Sequence, residues 1–132
     1  MNVTSNIATS FTADQHLKAR ATCLNHYSAA MATTFAVNVA HIFLIFAYAP
    51  AAPMLARMAL AASIVAIALY GALAGKASLE EVKAVIDDHV EAMPGTRYGK
   101  SIGGLPIALF TMLTVTLVTV IGLLQLLALF AG

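Results

Sequence analysis

Three side chains within one apolar stretch have the types and spacing to do chemistry together. Thr34, Asn38 and His41 are four and three residues apart, which puts them on one face of a helix. An imidazole deep in a membrane can ligate haem or metal, or pass protons. Haem held within one chain needs a second embedded histidine. His16, His26 and His89 all fall outside the apolar stretches, so only a second copy or a partner completes such a site. Hydrogen bonding between helices accounts for the three residues more simply, each bond contributing under about 2 kcal/mol. On that reading no cofactor is expected, neither haem nor metal at His41.

Arg57 and Gln125 are the other two polar groups that need an account. Arg57 lies about one turn into a second apolar stretch, at a depth comparable with His41. Its long stem can snorkel to the surface. A partner subunit, a lipid phosphate or the C-terminal carboxylate of Gly132 could also pair with it. Gln125 lies deep in a third apolar stretch and needs a partner there.

Two motif-like clusters fail on spacing. Gly95-Thr-Arg-Tyr-Gly99-Lys100-Ser101 has three residues between its glycines where a P-loop needs four, and it follows a helix pattern rather than a strand. It reads as a membrane-entry turn whose Arg97 and Lys100 anchor at headgroups. His16, Cys23 and His26 can share a helical surface, but three loosely placed donors with no fourth make a poor metal site.

Small residues form the remaining pattern. Gly71 and Gly75 make a GxxxG, and Ala52, Ala56, Ala59 and Ser63 form a stripe on the same helix. Such residues let helix backbones approach closely in lipid. Gly122 shares a face with Thr111 and Gln125 on the third stretch. The helix-packing positions are therefore Gly71, Gly75, Ala56, Ser63 and Gly122.

These residues are positioned by three apolar runs, each long enough for the ~20 residues of a membrane crossing. They cover roughly Tyr27 to Tyr48, Ala51 to Gly75 and Gly103 to Phe130, the last being the longest. Pro50 and Pro53 close a tight hairpin between the first two. Thr12 to Gln15 fits a capping box, and a helix from Ala13 either runs into the first span or lies apart from it. Ser78-Leu-Glu-Glu81 fits a second box. It is expected to open a short amphipathic helix with Leu79, Val82, Ile86, Val90 and Met93 on one face, lying on the membrane or on partner subunits. Pro94-Gly95 ends it, and residues Gly95 to Gly104 read as a glycine-rich turn.

The expected fold is all-α: an integral membrane protein of three transmembrane helices plus a short cytoplasmic amphipathic helix. Its segments are a polar N-terminus (1–26), a helical hairpin (27–75), a charged loop (76–102) and a third span (103–132). Apart from Arg57, the charged side chains fall in the first and third segments. The Lys/Arg rule puts those segments in the cytoplasm and the C-terminus outside, in a bacterial inner membrane.

Only 10% of the 132 residues are charged, against about 25% in soluble domains. The formal net charge of +1 gives no reason to expect nucleic-acid binding. The sequence points to a non-catalytic structural subunit that packs against other membrane helices, as a homo- or hetero-oligomer, and against lipid. A self-assembling protein is the first alternative. Small size, high alanine content and a charged loop between apolar helices loosely resemble holin pores and conjugative pilins. A redox or proton-handling subunit built on His41 is the second alternative.

Overall fold

The computed structural model describes residues 13–92 and 95–131. These form α1 (Ala13–Tyr48), a 3-10 turn (Ala49–Ala51), α2 (Met54–Ala92), α3 (Arg97–Gly103) and α4 (Ile107–Ala131). The described residues contain no strand. Three helices, Leu17–Ala51, Met54–Glu91 and Ile107–Ala131, are long and apolar enough to cross a membrane. The protein is all-α and membrane-located.

α1 is continuous, so residues 13 to 26 extend the first span. No proline or glycine interrupts Ala13 to Tyr48, and Lys18 pairs with Asp14 at 2.7 Å one turn away. The helix stops where Pro50 removes a donor and constrains Ala49. Ala52 then takes the extended backbone (φ −77°, ψ 140°) required before Pro53. The Pro53 carbonyl accepts from the amides of Ala56 at 2.9 Å and Arg57 at 3.2 Å, which starts α2. Pro106 does the same for α4, accepting from Leu109 at 3.0 Å and Phe110 at 3.2 Å.

α2 passes straight through Gly75 and Ser78 to Ala92. The expected break and the separate amphipathic helix are therefore incorrect. One glycine in a helix costs only about 1 kcal/mol relative to alanine. Ala72, Ala74 and Ala77 around it are strong helix formers. Lys76 pairs with Glu80 at 3.7 Å, and Lys83 pairs with Asp87, each one turn on. A capping box opens a helix only where the chain has first left one, and nothing here makes it leave. The Thr12 box and Met93 lie outside the described residues.

The apolar face of this second half of α2 also differs from expectation. Leu79, Val82 and Ile86 are buried, and Val82 and Ile86 pack with Ile102 of α3, Cys23 of α1 and Ile107 of α4. The chain's own helices cover that face. Between Gly95 and Gly104 the structure has a two-turn helix where a loop was expected. Gly95 turns the chain at φ +82°, a conformation favouring glycine. Thr96 then caps α3, its hydroxyl accepting from the Gly99 amide at 3.0 Å. Burial of Ile102 secures it.

α1 and α2, at 36 and 39 residues, are about 54 and 58 Å long. The hydrocarbon core is about 30 Å thick. α4 has 25 residues and is the shortest of the three, not the longest, because α1 starts well before Tyr27 and α2 runs on past Gly75 to Ala92. At the end opposite the hairpin the two long helices run on together beyond the start of α4, forming a stalk against which α3 packs.

α2 lies between the other two spans and packs along both. The interior has three layers. At the hairpin end, Ile45, Ala49, Ile64 and Leu129 form an apolar plug. The stalk end holds the Val82–Ile86–Ile102 cluster. Between them the buried residues are largely polar: Thr34, Asn38, His41, Thr114 and Gln125. Large apolar side chains such as Phe35, Phe46, Leu55 and Leu127 face outward, as expected where the solvent is lipid.

Candidate functional site

The middle layer collects the intramembrane polar residues singled out above, with the exception of Arg57. On α1 the stripe is Ala30, Thr34, Asn38, His41 and Ile45. On α4 it is Thr114, Val118, Gly122, Gln125 and Leu129. Both repeat at four and three residues, the pitch of a helix face turned to a neighbour.

Each polar residue of this middle layer makes a bond inside the bundle. The Thr34 hydroxyl donates to the Ala30 carbonyl at 2.8 Å, and the Asn38 amide donates to the Thr34 carbonyl at 2.8 Å. These bonds close within α1. Three others join helices. His41 Nε2 lies 3.0 Å from the Ser63 hydroxyl, linking α1 to α2. Gln125 Nε2 donates to the Asn38 carbonyl at 3.0 Å, linking α4 to α1. The Tyr27 and Thr114 hydroxyls meet at 2.9 Å, again linking α1 to α4. His41 Nδ1 and Gln125 Oε1 are enclosed with no hydrogen-bond partner among the described residues.

The glycines lie at the junction of all three spans. A Cβ on Gly71 would stand 2.6 Å from Thr34 Cγ2 on α1 and 3.1 Å from Val118 Cγ1 on α4. One on Gly75 would stand 2.9 Å from Met31 Cε on α1 and 2.9 Å from Thr114 Cγ2 on α4. One on Gly122 would stand 3.0 Å from Ala68 Cβ on α2. The close approach that small residues permit is used here between helices of one chain.

The other positions fall differently. Ser63 partners His41. Ala56 is exposed. Thr111, expected beside Gln125, is only half-buried and bonds back to the Ile107 carbonyl at 3.0 Å; Thr114, one turn on, takes the interior place. Arg57 does not meet His41. Its Nη2 donates to the Pro50 carbonyl at 3.2 Å, across the hairpin turn. Gly132, considered as its counter-charge, lies outside the described residues.

Outside the spans, His26 Nδ1 lies 3.8 Å from a Glu81 carboxylate oxygen, joining the two stalk helices. Among the described residues no group of three or more His, Cys, Asp or Glu side chains could hold a metal. The side chain of His16 lies outside the described set.

Sequence reasoning missed Tyr27–Thr114, the His41–Ser63 pairing and Val118. Thr114, Val118, Gly122, Gln125 and Leu129 do repeat at helical spacing, so that face was readable. The identity of its neighbour was not. No protein-family model, curated protein or solved structure matches the chain.

Proposed function

We propose that the chain is a non-catalytic structural subunit of a larger membrane assembly, in a bacterial inner membrane with its stalk in the cytoplasm. The observation that carries this reading is how the deep polar residues are used. Thr34 and Asn38 bond back within α1, while His41, Thr114 and Gln125 bond across to a neighbouring helix, so the deep polar chemistry goes into the fold of the bundle. The stalk offers a place for partners. Lys76, Glu80, Lys83, Asp87 and Asp88 are exposed on it, and charges of both signs suit a protein contact better than an anionic lipid surface. The orientation follows from Lys18, Arg20, Lys76, Lys83, Arg97 and Lys100, which fall at the stalk end.

Mass measurement of the complex, gently solubilised, tests the reading. A defined heteromer containing the 13.8 kDa chain supports it. A monomer overturns it. A large homo-oligomer favours the self-assembling alternative, a holin-like pore or pilin-like filament.

One observation favours a second reading. Among the described residues His41 Nδ1 has no partner inside the bundle, which suits a proton-handling or ligating imidazole. An absorption spectrum of the purified protein addresses ligation, and His41→Gln addresses proton handling.

A further inference from the structure

Arg57 is the only Asp, Glu, Lys or Arg between Tyr27 and Gly75, and residues 103–132 contain none. A cation in the hairpin half therefore has no acidic side chain to neutralise it among the described residues. A free arginine at a membrane surface extends toward water. This one is held instead. It sits in the first turn of α2, and its Nη2 donates to the Pro50 carbonyl at 3.2 Å. That bond uses one of five guanidinium N–H groups. The Nε is enclosed without a partner.

The side chain so held borders a groove of about 190 Å³. Leu44 and Tyr48 of α1, Ala56 and Leu60 of α2, and Leu129 of α4 supply its walls. The exposed lining of the groove is wholly apolar: Arg57 borders it with its aliphatic stem while the guanidinium turns to the Pro50 carbonyl beside it, at the hairpin end of the helices. A planar guanidinium recognises phosphate oxygens through two parallel N–H donors. Because its geometry is already fixed, less freedom is lost when a ligand binds.

We propose that Arg57 and this groove bind one anionic phospholipid, its phosphate on the guanidinium and an acyl chain along Leu44, Leu60 and Leu129. An anionic headgroup is favoured over a zwitterionic one because it leaves net charge to offset a cation that no acidic side chain among the described residues pairs with. The proposal rests on the membrane location alone and is independent of the subunit reading.

The test uses the full chain, purified in mild detergent and stripped of lipid. Phosphatidylglycerol and phosphatidylcholine of matched chains are added separately, and bound lipid is read by native mass spectrometry. The wild type should hold phosphatidylglycerol about tenfold more tightly than phosphatidylcholine, whose phosphate is the same but whose choline cation opposes the guanidinium. Arg57→Gln should lose that preference, and Arg57→Lys should keep part of it. Ala56→Trp, at an exposed position in the groove wall, should fill the groove and lower binding of both lipids while the melting temperature without lipid holds. Unchanged phosphatidylglycerol preference in Arg57→Gln overturns the proposal. So does undiminished lipid binding in Ala56→Trp. Displacement of the lipid by millimolar inorganic phosphate would mark a free-anion site and also overturn it. Loss of a protein partner in Arg57→Gln, with lipid preference intact, would assign the guanidinium to a subunit contact instead.

Discussion

Thr34 and Gly71 fill one small space between α1 and α2: a Cβ on the glycine would lie 2.6 Å from the threonine Cγ2 and 2.8 Å from its hydroxyl oxygen. Neither threonine atom can move away easily, since the hydroxyl is bonded to the Ala30 carbonyl and the side chain is stiff at its first torsion. Gly71→Ala gains about 1 kcal/mol of helix propensity. It must also part the helices, and a net loss of about 1–3 kcal/mol is expected from overpacking. Adding Thr34→Ala removes both clashing atoms and should restore most of that stability. Reversible unfolding in mixed micelles measures both. Wild-type stability in Gly71→Ala alone would show that the helices do not approach so closely.

The contact between His41 and Ser63 should be worth less than the glycine contact. A double-mutant cycle of His41→Leu with Ser63→Ala is expected to give a coupling near 0.6 kcal/mol, about the average for polar pairs within membranes. His41→Gln keeps a hydrogen-bonding side chain and should be milder than His41→Leu. Should His41→Gln abolish biological activity with fold and assembly intact, the proton-handling reading would replace the structural one.

The continuity of α2 can be tested at Ala77. Proline there, inside an unbroken helix, removes a donor and clashes with the preceding turn, costing about 3 kcal/mol or more. Had Ser78 capped a new helix, position 77 would precede the cap and tolerate proline. Unaltered unfolding stability in Ala77→Pro would therefore restore the two-helix reading.

Topology is tested by single cysteines on a Cys23→Ser background. Ser78 is buried, so the exposed Asp88 is the better reporter at the stalk. A cysteine at Ala51 should react with an impermeant thiol reagent in intact cells, and one at Asp88 should not. The reverse pattern would invert the orientation.

What the sequence disclosed follows the physics of each signal. Apolar length depends on one stretch at a time, so the three spans were legible. The Pro50–Pro53 hairpin was legible too, because proline acts on its immediate neighbours. Periodicity put Thr34, Asn38 and His41 on one face, but a face does not name its neighbour. That neighbour depends on how far α2 is displaced along α1, which the hairpin turn sets. For this reason Ser63 looked like part of a small-residue stripe and proved to be the imidazole's partner. Gly75 looked like a helix end, although one glycine among alanines weakens a helix without ending it. The glycine-rich stretch after residue 94 looked like a loop. There Thr96 and Ile102 together, a cap and a buried anchor, outweighed the glycines.

The unbroken course of α2 has a mechanical consequence. Its 39 residues form one rod from the hairpin turn to the tip of the stalk, with Arg57 near one end and Asp88 near the other. The glycine junction at Gly71 and Gly75, flanked by α1 and α4, stands near the middle of that rod. With no break on either side of it, the plug at Ile64 and the cluster at Val82 hold one fixed rotational relation to each other.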